Sequence, residues 1–201
     1  RHINRLTGHP PRAKTELHAL KPTQTTLLML IEDEEEAINA FDKRIERFRL
    51  AGRALIDNCP TLSAQFAHMI AAPGMGEISV FAALAELTTL PVTLKSAQVS
   101  RYAGLDVRLT QSGTSIDKPG RISKGGNAYL RSAMYMPALT AIRCDPNVKA
   151  FYEALVARGK RKMQAIVAVM RKYLTGLWAC MRAGEDFSTA KLFSGKHTQK
   201  A

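Results

Sequence analysis

The sequence predicts a mainly α protein. A long N-terminal helix or coiled coil precedes a compact helical domain, which carries a helix-hairpin-helix-like motif and one small β-hairpin or loop. Three observations lead there. Apolar residues recur at helical spacing in segment after segment. Glycine and proline clusters such as PGMG at 73–76 and the 113–126 stretch separate several of those segments. Only one short stretch, VRLTQSGTSIDKPGRISKGG from Val107, alternates as a strand pair would.

The elements follow in order. Residues 1–22 are polar, basic and broken by prolines (HPP at 9–11, KP at 21–22), and read as a connector. A long helix is expected over 23–58. Ile31, Ile38 and Ile45 recur every seven residues, with Phe41, Phe48 and Leu55 on the alternate register, which gives a heptad seam suited to a coiled coil or to packing on the protein's own domain. From Thr61 the pattern is helix, tight turn, helix: TLSAQFAHMIAA, PGMG, EISVFAALAEL. Gly74 and Gly76 fit a turn whose free amides at the second helix's start could hold a phosphate; an ordinary αα-hairpin fits as well. Ser96–Tyr102 should form a further helix, and Val107–Thr110 should pair with Arg121–Ser123. One helix is expected from Asn127 to Arg143, another capped by Asp145 to about Ala157, and a last one over about 162–182 holding Trp178. A domain over 60–186 and a flexible tail over 187–201 complete the plan.

Composition narrows the partner. The 201 residues carry a net charge of +12, with a pI near 9.9. The excess is uneven: residues 101–182 hold fifteen basic and four acidic side chains, whereas 23–58 hold five and eight. Such an imbalance points to an anionic partner for the second half. Cys59, Cys144 and Cys180 have neither zinc-ligand nor redox spacing and read as reduced, buried thiols of a cytosolic protein. The five histidines form no ligand cluster, so no metal site is expected in this chain. No apolar run is long enough to span a bilayer, and no membrane partner is expected. The chain opens on Arg1, as a piece of a longer protein would.

The chemistry-bearing stretch is Gln111–Tyr135. Glycines let main chain approach a phosphodiester, cations neutralise it, and a serine hydroxyl can attack phosphorus. Ser112, followed by Gly113, and Ser123, just before Lys124-Gly125-Gly126, are the candidate nucleophiles; Ser115 is weaker. Arg108, Lys118, Arg121, Lys124 and Arg131 could stabilise the charge of a pentacoordinate phosphorus. No general base stands out nearby, Asp106 and Asp117 being the local carboxylates. From composition alone, a turn or hydrogen-bonding role for each serine is the default.

The order PGMG (73–76), AGL (103–105), QSG (111–113) and GRISKGGNAYLR (120–131), followed by a small-residue helix, resembles the C-terminal half of one family. That family is the serine-dependent transposases and DNA invertases related to Piv, insertion-sequence family one-hundred-ten. The likeness is close over about 60–182, and the 23–58 helix resembles the family's coiled-coil region. It implies a DNA transposase or recombinase guided by a structured bridge RNA, working as a homo-oligomer at the bacterial nucleoid in the cytoplasm. It implies magnesium held by the carboxylates of a RuvC-like domain, which this chain does not contain. The serine of the SG motif maps onto Ser112, with Ser123 as runner-up. Arg121, Lys124, Asn127 and Arg131 match the polar signature expected to meet phosphate or RNA backbone. Without the acidic domain the chain is expected to bind nucleic acid but not to complete strand exchange. The alternative is a non-catalytic helix-hairpin-helix-type binding module.

Overall fold

A computed structural model describes residues 11, 12, 14, 15, 28–112 and 116–193. The chain divides into two compact units, Arg1–Pro60 and Thr61–Ala201. The connector expected over 1–22 lies almost wholly outside the described residues, as do 23–27 and 194–201.

The first unit is dominated by α1 (Leu28–Asp57). Ile38 and Ile56 are buried, Ile31, Phe41, Ile45 and Phe48 are half-buried, and Leu55 is 71% exposed. Burial along the seam residues therefore varies, from buried Ile38 to exposed Leu55. Ile38 and Ile56 stand eighteen residues apart, which is five whole turns of an α-helix at about 3.6 residues per turn. A seven-residue seam assumes 3.5 and drifts off that line.

The second unit is helical around one two-stranded sheet, as predicted. α2 (Pro60–Ile70) starts with proline at a position where an N–H is not needed. α3 (Glu77–Leu87), α4 (Ser96–Tyr102), β1 (Val107–Ser112) and β2 (Ile116–Ile122) follow. The strands pair antiparallel with Val107 opposite Ile122 and Arg108 opposite Arg121, and an irregularity lies between Arg108 and Thr110. The hairpin therefore extends further toward its tip than the sequence indicated.

The helix expected over 127–143 is two helices, α5 (Ala128–Ala133) and α6 (Tyr135–Cys144), broken at Met134. Pro137 explains the break. It has no N–H to donate to the carbonyl of Ala133, and its ring crowds that turn. α7 (Pro146–Ala157) is capped as expected, the Asp145 carboxylate accepting from the amides of Asn147 and Val148 at 2.9 and 3.0 Å.

α8 (Lys162–Ala183) is the core helix, packed against α4, α6 and α7. Its Val169, Tyr173, Leu174, Leu177 and Trp178 are fully buried. Burial leaves each polar tip in need of a partner. The Trp178 indole N–H donates to the Leu94 carbonyl at 3.0 Å, and the Tyr173 hydroxyl to the Pro73 carbonyl at 2.9 Å.

Part of the segment expected as a flexible tail, residues 187–193, is packed on the domain. α9 (Thr189–Leu192) is formed, and Phe187 and Phe193 are buried beside Tyr173. The amide of Phe187 donates to the His68 carbonyl, and the Asp186 carboxylate lies 2.7 Å from His68 Nδ1. Two aromatic side chains outweigh the polar composition around them. Of the thiols, only Cys180 is buried; Cys59 is half-buried and Cys144 exposed. Among the described residues no helix is long and apolar enough to cross a membrane.

Candidate nucleic-acid interface

The segment Ser123–Asn127 is clamped along the chain that leaves α4. Main-chain amides of Ser123, Lys124 and Asn127 donate to the carbonyls of Asp106, Gly104 and Tyr102 at 2.9, 3.1 and 2.6 Å. The clamp needs glycine twice. Gly104 has φ +65°, and a Cβ there would come 2.8 Å from the Arg131 guanidinium. A Cβ on Gly126 would overlap the Tyr102 carbonyl oxygen and lie 2.9 Å from the Gly104 nitrogen. Between them Lys124 takes φ +52°, unusual for a residue with a side chain, and keeps that side chain exposed.

Asn127 locks the segment to its surroundings. Its side-chain oxygen caps α5 by accepting from the Leu130 amide at 3.0 Å. Its amide nitrogen donates to the Glu86 carboxylate and to the Tyr102 hydroxyl, the latter at 3.0 Å. Arg131 is half-buried and donates to the Ala103 carbonyl at 2.9 Å. Both residues match the family signature, and both help to organise the loop, Asn127 through its side-chain amide and Arg131 through one guanidinium nitrogen.

Arg108 and Arg121 face each other across the strands at the hairpin base, and both are exposed. Directly opposed cross-strand residues place their Cβ atoms about 5 Å apart, where like charges repel. Neither arginine forms an ion pair with a carboxylate among the described residues. Lys124 follows two residues after β2, so three exposed cations gather at one end of the hairpin. The arrangement is one an anion would relax.

Ser123 is half-buried in this corner, and its hydroxyl donates to the Asp106 carboxylate. Asp106 also lies 3.9 Å from Arg101. Ser112 ends β1, opposite Ile116. Its side chain and that of Lys118, together with Gly113 and Ser115, lie outside the described residues.

Gly74 and Gly76 are placed elsewhere. Gly76 caps α3, and ten residues of helix put it about 15 Å along the axis from Glu86. Gly74 has φ +79°, and a Cβ there would meet the Pro137 carbonyl and the Thr140 side chain of α6, each at 2.8 Å. Its evident task is close packing of that turn on α6. Glu77 stands in the first turn of α3, where a bound phosphate would meet a negative charge.

Sequence reading missed Glu86 and Tyr102, and it named Asp106 as a local carboxylate without pairing it with Ser123. A signal for Glu86 was present: it is the carboxylate near the end of the otherwise apolar run ISVFAALAEL, and it is only 5% exposed. Among the described residues no three histidine, cysteine or acidic side chains gather as metal ligands. Glu32–Glu36 lie on α1, mostly exposed. The resemblance places magnesium on the carboxylates of a separate acidic domain, and the residues described here carry no step through a metal.

The class is that of a transposase domain: residues 68–153 match the family model described as "Transposase IS116/IS110/IS902 family". Those residues span the α2–α3 turn, the clamped loop and the hairpin, and they carry the chain's similarity to that family. Its relatives are specific. It is 33% identical over 134 residues to the pilin gene-inverting protein of Moraxella bovis, covering 66% of this chain and 42% of that protein. It is 33% identical over 94 residues to the insertion element IS110 43.6 kDa protein of Streptomyces coelicolor, covering 47% and 23%. It is 27% identical over 179 residues to the insertion element IS900 42 kDa protein of Mycobacterium paratuberculosis, covering 82% and 40%. The chain thus matches less than half the length of each of these three, and it is Piv-like as its motifs implied.

Proposed function

We propose that this chain is the DNA-handling, serine-bearing part of a bacterial transposase or site-specific recombinase. The observation that supports it best is the Arg108–Arg121 pair at the base of the hairpin, two exposed cations held opposite each other beside a loop fixed by main-chain hydrogen bonds. A phosphodiester entering there would neutralise the pair, meet Lys124, and lie against a glycine-rich backbone.

The chemistry balances without an energy source. A serine oxygen bonds to phosphorus and gives up its proton, while a phosphorus–oxygen bond breaks to release a sugar hydroxyl. The strand stays linked to protein as a phosphodiester, so the reverse attack by another strand's hydroxyl rejoins DNA. Ser112 is the serine we assign by its SG motif. In the complete protein, guide RNA would choose the sites, a magnesium-bearing acidic domain would complete the centre, and α1 would help join copies. The exposed Leu30, Leu50 and Leu55 of α1 support that last role.

One observation favours a second nucleophile. The Ser123 hydroxyl already donates to Asp106, a carboxylate placed to take its proton. Strand cleavage by the complete protein separates the two. Ser112→Ala should abolish the covalent protein–DNA product and leave DNA binding intact, while Ser123→Ala keeps measurable product. The reverse pattern transfers the role to Ser123. Cleavage surviving both substitutions defeats the serine mechanism and leaves the non-catalytic binding module.

A further inference from the structure

Helix α8 contains no aspartate or glutamate in its 22 residues, KMQAIVAVMRKYLTGLWACMRA. One side of it forms the core already described. At about 100° per residue, Gln164, Arg171, Thr175 and Arg182 fall within about 20° of a single line on the opposite side. Gln164, Arg171 and Arg182 are exposed and Thr175 is half-buried. Ala168 and Ala179 lie on one side of that line and the buried Trp178 and half-buried Val167 on the other, so it carries no exposed bulky apolar side chain.

The cations on this face are uncommitted. Neither Arg171 nor Arg182 forms an ion pair among the described residues. Lys172 shows the contrast. It turns inward, donates to the Leu192 carbonyl at 2.8 Å and sits 4.5 Å from the Phe151 ring centre. The charge line continues past the start of the helix, where Arg158, Lys160 and Arg161 are all exposed around Gly159. Along α8 the line from Gln164 to Arg182 is about 27 Å long.

We infer that the outer face of α8 and the turn before it form a second phosphate-backbone contact, separate from the hairpin base, that takes duplex DNA. The inference rests on the reading of this chain as a DNA-handling domain. Three features select the ligand. A strip of arginines without acids suits a phosphate row, which a duplex presents at about one charge per 1.7 Å of axis. No exposed aromatic lies on the strip to stack unpaired bases, since Tyr173 and Trp178 are buried. Protein partners are commonly anchored by large apolar or aromatic side chains, and this face offers alanines. The contact should therefore be indifferent to sequence.

The test is a salt titration of this chain binding fluorescent duplex DNA of arbitrary sequence, with two double variants. In Arg171→Gln/Arg182→Gln, the slope of log K against log salt should shrink by about 1.8, at about 0.9 per lost phosphate contact, equally for unrelated sequences. Arg171→Lys/Arg182→Lys should keep most of the slope, and circular dichroism should be unchanged in both. Arg108→Gln/Arg121→Gln serves as the reference for the hairpin. A reduced slope in that reference, beside an unchanged slope for Arg171→Gln/Arg182→Gln, overturns the α8 contact and leaves the proposed function standing. Binding without salt dependence in the parent chain overturns both. A slope lost on duplex RNA but kept on duplex DNA overturns the choice of ligand.

Discussion

Gly126→Ala adds one methyl group, and the clamped loop gives it nowhere to go. The new carbon would overlap the Tyr102 carbonyl and lie 2.9 Å from Gly104 N and 3.0 Å from Arg101 O, all of them backbone atoms. Relief requires the loop to lift from the end of α4. That breaks the Asn127-to-Tyr102 bond of 2.6 Å and the Lys124-to-Gly104 bond of 3.1 Å, and pulls Asn127 from Glu86. Two backbone bonds at about 1 kcal/mol each, with a further 1–2 kcal/mol or so for the carboxylate left buried, give about 3–4 kcal/mol. For a chain of this size that lowers Tm by about 6–16 °C. Gly125→Ala is the control: its added carbon has only the Ser123 carbonyl, 3.9 Å away, within reach, so its stability should stay within about 0.5 kcal/mol of the parent. Thermal melts by circular dichroism, with duplex DNA affinity measured below the transition, compare the two. Equal melting and equal affinity in both alanine variants would refute the claim that the loop is held by this close approach.

Two further outcomes follow from buried polar groups. Glu86→Ala removes the carboxylate that accepts from Asn127 and should cost about 1–3 kcal/mol in urea unfolding, with Glu86→Gln recovering part of it. Tyr173, fully buried, has its pKa raised above the ordinary 10.0, chiefly by burial and secondarily by Asp145. In the unfolded chain the phenol ionises near 10, so the stability it contributes is present below that pH and is lost as pH rises toward the folded value. Tyr173→Phe should flatten that alkaline loss in melts taken between pH 9 and 11. Lys172 works against it: burial lowers its pKa, so its cost in the folded state fades as pH rises through the same range. An alkaline slope unchanged by the substitution would show that Tyr173 does not carry it.

The sequence by itself determined the mainly α class, the placement of most helices, the basic second half and the family. Each depends on local or compositional signals: apolar spacing, an Asp-Pro cap at 145–146, and fifteen cations against four acids between 101 and 182. Ordered motifs such as GRISKGGNAYLR carry family identity without any geometry. Local signals also had limits, as the break that Pro137 makes at Met134 and the burial of Phe187 and Phe193 show. Only tertiary structure shows what the signature residues touch. Within the fold Asn127 meets Glu86, forty-one residues away, and Arg131 donates to the Ala103 carbonyl. The sequence already suggests that the strands of Arg108 and Arg121 pair, but only the register of the folded hairpin sets the two residues directly opposite each other. Hydrogen bonds and charge repulsion act over a few ångströms, and only the folded chain fixes which groups come that close.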